Sequence, residues 1–119
     1  MPIETGGILP GVPDTNACYG GTEIWVECKK TDTDRVDLET LQVGWLMRRG
    51  RAGGRVFVLV RKQHKGGPRK GPPVDELYLM DGRRADLIKE SGLRSAAVLF
   101  KWNTRAWYWD EIRIALFGK

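Results

Sequence analysis

Two carboxylates and one ammonium stand at a spacing that suits metal-assisted work on a phosphate. Asp14 follows Pro13, and thirteen positions on comes Glu27-Cys28-Lys29. On an extended strand, residues i and i+2 share a face, so Glu27 and Lys29 project together while Cys28 points away. If the strand through Asp14 lies beside that one, both carboxylates and the ammonium converge at one sheet edge. A hard divalent cation wants oxygen ligands, and one or two carboxylates with waters and substrate phosphate satisfy Mg²⁺. Bound there, it would activate water, neutralise phosphate charge and steady a leaving oxygen. Lys29 would orient or deprotonate the water, or offset developing charge. Each piece alone has a plainer explanation. An E-x-K on a strand is commonly an ion pair facing solvent, and Asp after Pro is commonly a turn residue.

The elements that must position these residues are legible from periodicity. A short strand through residues 14–19 is expected to turn at Gly20-Gly21. Ile24, Val26 and Cys28 alternate against Trp25, Glu27 and Lys29, which predicts a strand over residues 22–30. Asp37 is the expected N-cap of a helix over residues 38–52, with Leu38, Leu41, Trp45 and Leu46 as its apolar stripe. Gly53-Gly54 stops that helix. Residues 56–60 form a continuous apolar run, hence a buried strand. The order strand, helix, strand predicts a right-handed crossover between parallel strands. Residues 65–73, rich in Gly and Pro, read as a flexible basic loop. Strands over 77–80 and 97–102, a short helix over 84–90 and an amphipathic helix over 108–117 complete the expectation. That last helix should bury Ile112, Leu116 and Trp109.

Charge narrows the partner. The chain of 119 residues carries a net charge of +5, and its cations are concentrated. Arg48, Arg49, Arg51, Arg55, Arg61, Lys62, Lys65, Arg69 and Lys70 follow one another with no acid between them. Such a block is the footprint of a phosphate-backbone partner, DNA above all, against the plainer reading of a solvated basic surface. No apolar run approaches the ~20 residues a membrane helix needs, and the N-terminal residues lack a signal-peptide pattern. A cytoplasmic protein with no membrane partner is expected. Cys18 and Cys28 have neither disulfide-framework nor zinc-site spacing and are expected as buried or half-buried free thiols. His64, beside the basic loop, suits phosphate contact or plain exposure. Trp45 is expected in the core, and so are Trp107 and Trp109, against the alternative that these two cover a dimer interface or DNA.

Taken together, these segments resemble a known family. Gly11-Val12-Pro13-Asp14, Ile24-Trp25-Val26-Glu27-Cys28-Lys29, Leu41-Gln42-Val43-Gly44-Trp45-Leu46 and the run from Ala52 to Arg61 occur in order. They look like the virus-type replication-repair nuclease (VRR-NUC) branch of the PD-(D/E)XK nucleases, over about residues 10–62. The resemblance implies a single α/β domain, with a mixed central sheet of the restriction-endonuclease kind flanked by helices. Residues 74–119 would be an elaboration with no assigned family role. It implies that Asp14, Glu27 and the backbone carbonyl of Cys28 ligate Mg²⁺ or Mn²⁺. Lys29 becomes the catalytic lysine, and Gln42 matches a helix glutamine that lies near the site. Gln42 also shares a helix face with Leu38, Trp45 and Leu46, where a polar amide needs a partner.

The activity so implied is a metal-dependent DNA endonuclease acting on structured DNA, in the manner of a Holliday-junction resolvase working as a homodimer, with a phage source. The alternative is a nucleic-acid-binding module with a nuclease fold and no catalysis. One departure bears on the dimer. The wider superfamily begins with a helix carrying a further acid, and here only Glu4 precedes Pro13 as a candidate. Either the first helix is absent or a partner chain supplies its place, which favours a dimer.

Overall fold

Glycine at both central positions makes the first reversal possible. In the computed structural model, which describes residues 11–103 and 108–119, β1 (Thr15–Tyr19) turns back through Gly20-Gly21 into β2 (Thr22–Thr31). The two glycines take φ of 55° and 81°, the pair of positive values a two-residue hairpin turn favours. After a polar loop, α1 (Thr40–Arg51) carries the chain back to β3 (Arg55–His64), which pairs parallel with β2. The expected crossover between parallel strands is therefore present. β4 (Val74–Asp81) and β5 (Val98–Asn103) add antiparallel, giving the sheet order β1-β2-β3-β4-β5. α2 (Ala85–Ser91) lies between those two strands, and α3 (Trp109–Phe117) follows β5. This is one α/β domain on a five-stranded mixed sheet. Among the described residues, no helix is long and apolar enough to cross a membrane.

Strand alternation divides the core into two layers. Trp25, Val56, Val58, Val60, Tyr78 and Met80 pack on the α1 and α2 side with Leu46 and Ile88. Ile24, Val26, Phe57, Leu77, Leu79 and Trp102 pack on the other side with Ile112 of α3. Trp45 lies edge-on to Trp25 with ring centroids 5.0 Å apart, pinning α1 over β2. Glu27 and Lys29 share the parity of Trp25, so they belong to the α1 layer. Cys28 belongs to the other.

Several expectations are corrected. α1 begins at Thr40 with Glu39 as its N-cap, not at residue 38 with Asp37. The side chain of Gln42 closes on the Glu39 N–H, and this bond sets the helix start. Leu41 is 59% exposed. It sits five residues before the buried Leu46, roughly 140° away around the helix, and so falls off the buried stripe. Trp109, the first residue of α3, is 63% exposed, and Ile112 is the buried residue of that helix. Cys18 and Cys28 are exposed. Cys18 lies on the edge strand β1, and Cys28 lies beyond the last residue of β2 that β1 pairs. The 65–73 segment is a closed turn, with Gly67 bridged to Gly71. Glu4 and Trp107 lie outside the described residues.

One contact ties the loop after β2 to distant chain. Asp34 accepts from Lys62 Nζ at 2.5 Å and from Arg94 Nε at 2.9 Å. These bonds, Lys62 first, hold its carboxyl below the usual aspartate range. A depressed carboxylate stabilises the fold above its unfolded pKa, and that contribution fades as pH falls through the native value. Asp34→Asn is expected to cost about 1 kcal/mol near neutral pH, a figure kept small by solvent screening of a partly exposed group. In urea titrations, the wild type's advantage should shrink on acidification below the ordinary aspartate pKa of about 3.9. An advantage that is constant with pH would remove the charge from the explanation.

Candidate functional site

The β1–β2 register brings the two predicted carboxylates together. Thr15 stands opposite Val26, and one further step sets Asp14 opposite Glu27. Residues directly opposite on an antiparallel pair share a face, and the contacts agree. Asp14 N–H donates to Glu27 Oε1 at 3.2 Å. Cys28 N–H donates to both Asp14 oxygens, at 3.2 and 3.3 Å. The hydroxyl of Thr15, which the sequence reading passed over, donates to Asp14 Oδ1 at 3.1 Å. Lys29 Nζ lies 3.6 Å from Glu27 Oε2. Asp14, Glu27, Lys29 and Gln42 all meet here.

In an antiparallel pair, alternate residues direct both N–H and C=O at the neighbour. Cys28 directs its N–H to the Asp14 side, so its carbonyl faces that side too. The β1–β2 pairing ends at Thr15 and Val26, so the Cys28 carbonyl lies outside that ladder. That oxygen lies on the same side of β2 as Asp14.

Glu27 is the buried charged residue among those described, 6% exposed. Burial pushes its carboxyl above the usual glutamate range. The charge of Asp14 adds to the rise, and Lys29 opposes it. A buried carboxylate facing a second one is stable only when cationic or hydrogen-bonding partners surround it. The donor set fits Mg²⁺ or Mn²⁺: two carboxylates brought together on one face. Among the described residues, no group of three or more His, Cys, Asp or Glu side chains gathers around a common point. Mg²⁺ is held by as few as one or two carboxylates, so the pair suffices.

Gln42 is bound at both ends. Its Oε1 accepts from Glu39 N–H at 2.9 Å, and its Nε2 donates to Glu27 Oε2 at 3.0 Å. The cap fixes which way the amide points, so the NH₂ end must face the carboxylate. The motif Glu39-Thr40-Leu41-Gln42 has capping-box spacing, a sequence signal for this role. Under the metal-dependent reading proposed below, Gln42→Ala is expected to lower activity roughly 10–100-fold, the usual effect of removing a group that orients a ligand. It should also destabilise the protein by about 1 kcal/mol through the lost cap. Melting curves beside Mg²⁺ titrations of activity would check both. Unchanged metal dependence would reduce Gln42 to a capping residue.

The basic block separates into two groups. Arg49 pairs with Glu23, Arg61 with Asp75 and Lys62 with Asp34. Arg55 donates to the carbonyls of Ala115 and Leu116 at the end of α3. The charges of these four are met within the fold. Arg48, Arg51, Lys65, Arg69 and Lys70 are exposed and make no ion pair among the described residues. His64 Nδ1 accepts from Gly66 N–H at 3.2 Å, so the histidine serves the turn.

Compared with known protein families and with curated proteins, the chain matches none.

Proposed function

We propose that this protein is a metal-dependent endodeoxyribonuclease of the PD-(D/E)XK type, within its VRR-NUC branch, acting on branched or duplex DNA. The observation that carries this reading is the convergence of Asp14, Glu27 and Lys29 on one face where β1 and β2 meet. Asp14 and Glu27, with the Cys28 carbonyl, would hold Mg²⁺ or Mn²⁺. When bound, the cation lowers the pKa of a water and offsets charge on the phosphate. Cys28 N–H holds the Asp14 carboxylate in place, and Gln42 does the same for Glu27. The Lys29 ammonium shares the face of Glu27, where it would hold or move a proton at the attacking water. A homodimer that cuts both strands of a Holliday junction is the form of this activity we favour.

The test is incubation of the protein with a labelled four-way junction and a linear duplex, in Mg²⁺ and in EDTA. Metal-dependent cutting is expected, with symmetric paired nicks across the junction. Salt-dependent binding with no cutting in Mg²⁺ or Mn²⁺ would replace the enzyme with a binding module. A monomer in gel filtration would count against paired junction cleavage.

A further inference from the structure

We propose that the β3–β4 hairpin tip, residues 65–73, is a preformed arm that holds the phosphate backbone of duplex DNA through Lys65, Arg69 and Lys70. It rests on the nuclease reading for the nature of the partner, and it says where that partner is held away from the reacting phosphate.

The tip is a built turn. Gly67 N–H donates to Gly71 O at 3.0 Å, and Lys70 N–H and Gly71 N–H both donate back to Gly67 O at 3.1 Å. Gly66 N–H is held by His64 Nδ1. A Cβ on Gly66 would stand 2.6 Å from Gly71 O and 2.7 Å from Pro73 N, at a φ of +76°. Glycine is required there. Pro68, Pro72 and Pro73 fix φ along the rest of the turn. Little conformational freedom is left for a ligand to remove, and binding to an ordered arm is favoured by that saving.

Its charge is of one sign. Residues 65–73 contain Lys65, Arg69 and Lys70 and no acid. The nearest acid in sequence, Asp75, already accepts from both Arg61 and Gln63. Cations that face only solvent have a different use from Arg61 and Lys62, whose charges are met within the fold. The segment carries no carboxamide or carboxylate, the groups that read adenine and cytosine edges, so positive charge is its means of holding the duplex.

Distance makes the arm separate from the centre. Val60 pairs with Lys29, and His64 lies four residues further along β3. At a rise of about 3.3 Å per residue, the base of the arm stands ~13 Å beyond Lys29. Duplex DNA covers that span in about four base pairs. A substrate must therefore carry several paired nucleotides on one side of the cut to engage it.

The test measures binding of a 30-base-pair duplex in EDTA at several salt concentrations, for the wild type and for Lys65→Ala/Arg69→Ala/Lys70→Ala. Each lost phosphate contact should lower the log–log salt slope by about 0.9, so a fall of two to three is expected, with affinity dropping on the order of tens-fold. A control, Arg83→Ala/Arg84→Ala/Arg113→Ala, removes the same charge from cations that already have acid partners. It should keep most of the slope. Gly66→Ala keeps every cation but breaks the turn, and it too should weaken binding. A wild-type slope in the arm variant overturns the arm, as does an equal loss in the control. Wild-type binding by Gly66→Ala overturns its preformed character. The nuclease reading is judged separately, by Mg²⁺-dependent cutting with the wild type. An arm that binds in a protein that never cuts leaves this inference standing and that reading lost.

Discussion

Lys29→Met is expected to slow DNA cleavage by roughly 10²–10⁴-fold, the range for removing a group that moves a proton or stabilises charge at the reacting centre. Methionine keeps most of the lysine stem, so packing around a side chain only 23% exposed survives. The ammonium disappears from its place 3.6 Å from Glu27 Oε2. Binding should stay within a few-fold of wild type, because one cation of this highly basic chain changes the salt slope by less than one. Lys29→Arg should not rescue. A guanidinium cannot be deprotonated, and its planar fork would tend to take both oxygens of Glu27. Single-turnover cleavage in Mg²⁺, beside duplex binding in EDTA, separates the two effects. Full-rate cutting by Lys29→Met would remove the lysine from the chemistry, and the enzyme reading would lose its third member.

What the sequence made legible was periodic. The alternation through Ile24 to Lys29 placed Glu27 and Lys29 on one face, and the strand, helix, strand order anticipated the parallel β2–β3 pair. Strand parity is a local property, so it survives translation into three dimensions. The misreadings were of another kind. Asp37 is a good capping residue by type, yet the helix starts at Thr40, where Gln42 reaches back to Glu39 while also holding Glu27. A tertiary partner decided a local boundary. Leu41 and Trp109 are apolar residues left largely exposed. In the basic block, the sequence showed one undivided run. Pairing with Glu23, Asp34, Asp75 and the end of α3 divides it, and those partners lie up to sixty-one positions away. The Cys28 carbonyl entered only through the resemblance, and no spacing in the sequence points to it.

Gly92→Ala is expected to destabilise the protein by about 3 kcal/mol, a melting temperature lower by roughly 10–20 °C for a domain of this size. Gly92 follows α2 at a φ of +58°, and a Cβ there would stand against the Asp34 carbonyl oxygen, far inside van der Waals contact. Backbone strain of this kind costs ~1–3 kcal/mol. The clash adds to it by pushing the 31–36 loop away. Leu93 N–H then loses its 2.8 Å bond to Asp34 O, worth about 1 kcal/mol. Arg94 loses its hold on the Asp34 carboxylate as well. The loop leads directly into α1, so loosening it also loosens Gln42, the group that steadies Glu27. Gly53→Ala supplies the comparison. Its φ is +92° but nothing lies within 4 Å of the new Cβ, so it carries the conformational cost alone, ~1–2 kcal/mol. Were the two variants to melt together, the close approach of Gly92 to Asp34 would be wrong, and with it the clasp that sets α1 over the carboxylates.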